Sequence, residues 1–325
     1  MNNIPVKILS DGSIIVFNKV CCDGYVPGLK AYIYSHIHSD HIKGVSRAVK
    51  YCNRVYASKA TSDILKVLKG VRGVKGLDYG VRVRIDDISF WLYKTRHIIG
   101  SAGIVFEDGD LRIVYSGDFK LPGTEVIPCD ILIIEATYGS PEFIRPPTEF
   151  LEEVFVKVVS SFLRRSNIVI YGYYGKVQEA MEILRSYGVP NFFIVSRRLW
   201  MLTKIAIRHG ANIYDVAVEG SHDAQEACKS SHVIFFRHLC EYDKSFNEGK
   251  YVIHLTGWIK GVIRRIHRHE YAIALSDHAD FNQLLEYISE AKPKLVIVDG
   301  SRSVFAKIFA REVWRRLKIR SIVMP

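Results

Sequence analysis

The six cysteines of this chain include no CxxC pair and no disulfide-like spacing. Cys21, Cys22, Cys52, Cys129, Cys228 and Cys240 therefore read as reduced thiols, not as a stapled framework. Long hydrophobic runs are also lacking. The best candidate, ILII at 131–134, is broken by Glu135, far short of the roughly 18–20 apolar residues of a membrane helix. The opening MNNIPVKILSDG does not have the basic-then-apolar form of a secretion signal. There is no internal repeat, no low-complexity tract, no P-loop GxxxxGK[ST], no RNP motif and no zinc finger. With 48% hydrophobic and 24% charged residues in 325, the composition excludes a disordered or collagenous chain. The expectation is a soluble, cytoplasmic globular protein with no membrane partner and ample core.

Acidic residues are outnumbered. Lys and Arg total 45 against 34 Asp and Glu, a formal charge of +11. A surplus of this size is a physical argument for a polyanionic partner, because neutralised phosphates release counterions. The alternative is a merely basic surface.

Residues 1–135 read as short strands between turns: SIIVF, YIYSHIH, RVRIDDISFWLY, IVFEDGDLRIVYSGD and DILIIEA. Apolar–polar alternation marks several as half-buried, and EDGD at 107–110 signals a hairpin. One helix is expected near 59–69. The character changes at 140–148, where GSPEFIRPPT leads to Thr148 as a helix cap, followed by Leu151, Val154, Phe155, Val158 and Phe162 on one face. Strand and helix then alternate, which implies a parallel α/β layer. Isolated strands return after about 255, and a helix near 302–318 closes the chain. The expected organisation is one domain formed by 1–147 and 256–325, with a second α/β domain inserted over 148–255.

The strongest chemical signal is YSHIHSDHIKG, which sets His36, His38, Asp40 and His41 as HxHxDH after a β-like run and before a glycine. Strand alternation points His36 and His38 the same way, and the turn brings Asp40 and His41 to an adjacent position. That geometry suits two neighbouring metals. Imidazole with carboxylate suits zinc, with manganese and iron as competitors.

HxHxDH resembles the metallo-β-lactamase superfamily, whose fold is an αββα sandwich. The resemblance extends in order along the chain, to Asp23 upstream, His97 in TRHIIGSAG and Asp118 in VYSGDF. It implies two divalent metals, zinc foremost and manganese as the alternative, especially at the second site. One would be held by His36, His38 and His97, the other by Asp40 and His41, with Asp118 bridging and Asp23 orienting the cluster. Three segments narrow the resemblance to the β-CASP nucleases, whose α/β insert falls where the chain changes character. ILIIEATYG, with Glu135 at the end of a buried strand, resembles its acidic motif, IYGYYGKVQEAMEIL at 170–184 resembles its strand–Gly–helix segment, and ALSDHADF carries His278 where a catalytic histidine is expected. TGW at 256–258 is most similar to the DNA-repair and ligase-associated branch, while other relatives process RNA 3′ ends.

The resemblance implies a nuclease hydrolysing phosphodiester bonds of single-stranded DNA or RNA, with a cleft between domains for the strand. A dinuclear metal-bound hydroxide would attack phosphorus, and His278 oriented by Glu135 would protonate the leaving oxygen. Asp118 and Asp40 join that catalytic set. The other reading of Glu135 is a structural carboxylate at a sheet end. One departure stands out: where the family ends a strand with a metal-binding histidine, KLVIVDGSRS offers Asp299. Aspartate is a ligand for a hard or borderline cation, and Asp-Gly is equally a turn.

Lys260, Arg264, Arg265 and Arg268 form a basic run expected to contact phosphates near the active-site mouth. Ser101 and Lys176 are further candidate contacts. Arg302, Lys307, Arg311, Arg315, Arg316, Lys318 and Arg320 read as the solvated face of the last helix. A DNA ligase, a helicase or RNA-processing proteins are candidate partners, and self-association stays open. The rival functions are a superfamily hydrolase of a small ester or thioester, and a catalytically weak nucleic-acid-binding partner subunit.

Overall fold

The structure, a computed structural model, describes residues 4–325; the first three residues of the opening segment lie outside them. The described residues form two compact units, one from 4–144 with 278–325 and the other from 145–277.

The first unit begins with six strands in sequential order: β1 (Val6–Ile8), β2 (Ile14–Val16), β3 (Val20–Cys22), β4 (Ala31–Tyr34), β5 (Val55–Ser58) and β6 (Lys75–Leu77). β4 runs parallel to both neighbours and is buried throughout, which is why AYIY does not alternate. Helices α1 (Val45–Tyr51) and α2 (Lys59–Lys69) interrupt the series. α2 lies where helical spacing places it. Ser58 caps it by accepting from the Thr61 amide at 3.1 Å, and Gly70 ends it in the left-handed region. The short α1 follows the HxHxDH loop directly from Gly44 and carries no side-chain cap.

β7 (Val83–Ile85), β8 (Ile88–Lys94), β9 (Ala102–Asp108), β10 (Leu111–Tyr115) and β11 (Ile131–Ile134) start a second sheet, with the EDGD turn joining β9 to β10. Ile14, Val16 and Ile33 of the first sheet share one core with Phe90, Phe106, Ile113 and Ile133 of the second.

The second unit opens with α3 (Thr148–Leu163). Its buried stripe is Leu151, Phe155, Val159 and Leu163, while Val154, Val158 and Phe162 are only half-buried. Pro147 takes the cap position and Thr148 the first turn. Then follow β12 (Ile168–Gly172), α4 (Lys176–Ser186), β13 (Phe193–Val195), α5 (Arg197–Arg208), β14 (Val216–Val218), α6 (His222–Ser230), β15 (Ile234–His238), β16 (Tyr251–Thr256), β17 (Ile263–His267) and β18 (Glu270–Ala274). They form one sheet, β14-β13-β15-β12-β16-β18-β17, parallel except at the β17 edge. Residues 256–277, expected to rejoin the outer domain, thus extend this sheet: β16 pairs with β12, and β18 pairs with β16.

The chain then completes the first unit with α7 (Phe281–Ala291), β19 (Leu295–Asp299), α8 (Ala306–Leu317) and β20 (Ser321–Met324). β19 and β20 add to the second sheet beside β11. Phe281, Leu284, Tyr287 and Ile288 of α7, with Phe309 and Val313 of α8, pack on its other face against Val105, Val114 and Leu132. The unit is an α/β sandwich of two sheets. Among the described residues no helix is long and apolar enough to cross a membrane. All six cysteines are free thiols, and burial pushes that of Cys21 up to about 12.

Candidate metal centre

The loops that leave the strand ends of the first unit carry the chemistry. Ser35 and His36 follow β4 directly, His97 follows β8, and Asp118 follows β10. Gly117 makes the last turn feasible. Its φ is +57°, and a Cβ there would come within 2.7 Å of the Ala102 carbonyl oxygen.

His36, His38, His97 and Asp118 converge. His38 Nδ1 lies 3.1 Å from His36 Nε2 and 3.0 Å from His97 Nε2, and Asp118 Oδ2 lies 3.5 and 3.6 Å from those two Nε2 atoms. Donors around a tetrahedral ion bound at about 2.0–2.1 Å stand roughly 3.3 Å apart. Imidazole nitrogens turned on one another at that spacing fit a divalent cation. His36 is fully buried, and burial with the neighbouring His41 and His97 holds its imidazole well below the ordinary range; neutral imidazole is the form that ligates.

Beside this set, His41 Nε2 is 3.3 Å from Asp118 Oδ2 and 3.4 Å from Asp40 Oδ2. Its orientation is fixed from behind. His41 Nδ1 donates to Asp23 Oδ2 at 2.8 Å, and the Asp23 carboxylate also accepts from the Ser35 amide, the Ser35 hydroxyl and Tyr115 Oη at 2.6–2.7 Å. Burial opposes charge on Asp23, but the His41 bond, Arg302 and Ser35 outweigh it and hold the carboxyl below its ordinary range. The same balance pushes the His41 imidazole up to about 10, burial being outweighed by Asp118 and Asp23. Ser35 and Tyr115 carried no sequence signal, since neither residue type is distinctive at those positions.

Glu135 stands just past β11 with two partners. Oε1 accepts the Phe119 amide at 3.0 Å and Oε2 meets His278 Nδ1 at 2.9 Å. His278 Nδ1 is 3.9 Å from Asp118 Oδ2, and its ring centroid is 4.7 Å from that of His97. Asp280 anchors the following helix by accepting the Gln283 amide at 2.9 Å. A histidine whose Nδ1–H is committed to a carboxylate presents Nε2 for proton transfer.

The other expected site residues are placed differently. Asp299, at the end of β19, accepts from Ser301 N at 2.9 Å and from Ser301 Oγ at 2.5 Å on Oδ1, and from Arg302 on Oδ2; it is in none of the metal-capable groups among the described residues. Ser101, expected to contact nucleic acid, is buried, with its hydroxyl on the Thr95 carbonyl. Lys176 is buried and paired with Asp277 at 3.0 Å, so its charge is spent inside the second unit. Lys260, Arg264, Arg265 and Arg268 are exposed on and around the β17 edge. Arg265 turns back onto the carbonyls of His267 and Arg268.

The Beta-lactamase superfamily domain matches residues 22–193, more than half of the chain. The chain belongs to the β-lactamase superfamily. A protein of Acidianus ambivalens, described as an uncharacterized protein in the lig 3′ region, is 39% identical over 138 residues, 42% of this chain and 99% of that one. An RNase J-like protein of Methanocaldococcus jannaschii is 25% identical over 90% of this chain and 86% of its own length. The DNA cross-link repair protein SNM1 of Arabidopsis thaliana is 26% identical over 84% of this chain and 61% of its own. Among solved structures, a protein of unknown function from Enterococcus faecalis V583 superposes with a TM-score of 0.59 at 18% identity, covering 82% of this chain and 74% of that one. That likeness speaks for the fold.

Proposed function

We propose that this superfamily member is a metal-dependent nuclease that hydrolyses phosphodiester bonds in single-stranded DNA or RNA. The observation that carries the reading is the Glu135–His278 pair standing beside the His36–His38–His97–Asp118 cluster. A cluster alone serves any superfamily hydrolase; a carboxylate-oriented imidazole next to it serves a reaction whose leaving oxygen needs a proton. The RNase J-like and SNM1 relatives and the charge of +11 support the same substrate class.

His36, His38, His97 and Asp118 would hold the cation, and three imidazoles with one carboxylate suit zinc. A divalent cation bound there supplies Lewis acidity toward phosphoryl oxygens and lowers the pKa of water. The chain's own residues do the rest. Asp23 keeps the His41 ring turned toward Asp40 and Asp118. Glu135, itself fixed by the Phe119 amide, holds the His278 Nδ1–H, and His278 Nε2 gives its proton to the departing oxygen. Lys260, Arg264 and Arg268 offer exposed cations to phosphates.

Hydrolysis in water enriched in ¹⁸O tests this reading. Mass spectrometry of products from single-stranded oligonucleotides should find one ¹⁸O per cleavage, on a 5′-phosphate, with a 3′-hydroxyl on the other fragment. Turnover of a chromogenic ester with intact oligonucleotides would replace the nuclease reading with that of a small-ester hydrolase.

A further inference from the structure

Arg302 sits in the chain before α8, not on its solvated face, and its side chain is only 12% exposed. Nη1 donates to Asp299 Oδ2 at 2.7 Å. Nη2 lies 2.8 Å from the Gly12 carbonyl oxygen, 3.2 Å from that of Asp40 and 3.4 Å from that of Asp23. Nε is buried without a hydrogen-bond partner, 3.8 Å from Asp40 Oδ2. The seat is built for this group: Gly12 has φ +93°, and a Cβ there would come within 2.7 Å of Nη2.

The position matters because of what it uses up. Asp299 ends β19, and both of its oxygens are engaged, Oδ1 by Ser301 and Oδ2 by Arg302. A guanidinium stays charged at any working pH. It brings a fixed positive charge to the carboxylate side of the cluster, where Asp40, His41 and Asp118 otherwise offer donors to a cation. A dication between the half-exposed Asp40 and the buried His41 and Asp118 would share its surroundings with that charge, and like charges repel, least screened on the buried side. Arg302 also holds the Asp23 and Asp40 carbonyls, fixing the HxHxDH loop as a second ion would.

We propose that the site retains one tightly bound divalent cation, on His36, His38, His97 and Asp118, and that Arg302 stands in for the charge of a second. The proposal rests on reading the cluster as a metal centre. It makes Arg302 a positioning residue that sets metal stoichiometry.

Native protein dialysed against metal-free buffer and analysed by inductively coupled plasma mass spectrometry should keep one zinc per chain. Calorimetric titration with zinc should find any second equivalent weaker by at least about a hundredfold, and Arg302→Gln should tighten that second equivalent by about tenfold or more, while Arg302→Lys, which keeps the charge, should not. Two retained equivalents of similar affinity in the native protein would overturn the proposal, as would an unchanged second affinity in folded Arg302→Gln. Should that variant not fold by circular dichroism, the native stoichiometry decides alone. Native protein that binds no zinc at all would instead overturn the metal-centre reading.

Discussion

Replacing Glu135 by glutamine keeps the length of the side chain and removes its charge. The carboxylate spans two contacts, the Phe119 amide at 3.0 Å and His278 Nδ1 at 2.9 Å. In the variant the amide oxygen can keep the first contact, which turns the NH2 toward His278 and puts a donor where an acceptor stood. A hydrogen bond to a charged group contributes about 1.5–3 kcal/mol. Lost at the moment His278 acts as acid, that is roughly a 10–150-fold fall in kcat on an oligonucleotide. His278→Ala should cost about 10²–10⁴-fold. Neither loss should appear on an aryl phosphodiester, because nitrophenolate departs without a proton; there the fall should stay within about threefold. The assay compares both substrates at one pH, with zinc counted per chain. Equal losses on the two substrates, or a native rate on the oligonucleotide, would refute the assignment of the pair to leaving-group protonation.

Further outcomes follow from the same geometry. His38→Ala removes the imidazole that His36 and His97 both face, so its zinc affinity should fall by more than the roughly 10–100-fold that outer partners cost, measured by competition with a chromophoric chelator. Gly117→Ala forces a Cβ against the Ala102 carbonyl at a φ of +57°; thermal unfolding should report a loss of about 1–3 kcal/mol. Glu312 accepts from Arg315 and Arg316, which hold its carboxyl at about 2, below the ordinary 4.5. Its stabilisation is therefore present above about pH 4.5 and lost as pH falls toward 2, and with its arginine partners exposed to solvent screening it is under about 1 kcal/mol. Urea unfolding of Glu312→Gln should show a deficit at pH 7 that shrinks by pH 3; an equal deficit at both would contradict this.

What the sequence made legible was what lies close along the chain. HxHxDH could be read because its spacing is local, and the β9–β10 hairpin because EDGD marks its turn. The strands of the second unit could be read as elements but not as partners. β18 pairs in parallel with β16, and nothing within EYAIA reveals that, so the sequence places residues 256–277 in the other domain. α7 is absent from the sequence reading although FNQLLEYISEA is amphipathic with a capping box from Asp280 and Gln283; the helix starts three residues after His278, inside the segment that reads as a catalytic motif. Ser101 and Lys176 stood in segments that matched the resemblance, yet both are buried and bonded internally. Arg302 was hardest of all. It opens a run of cations spaced like a solvated helix face, and only the fold shows that it precedes the helix and turns inward.

Metal held by this cluster is needed to cut single-stranded nucleic acid. The most direct measurement is cleavage of single-stranded DNA and RNA, each labelled at either end, by native protein, by chelated protein and by chelated protein given zinc, beside folded His36→Ala. The native and restored protein should cleave, and neither the chelated protein nor the variant should. Cleavage that persists after chelation and in the variant would contradict it, and so would intact oligonucleotides in the presence of fully zinc-loaded native protein.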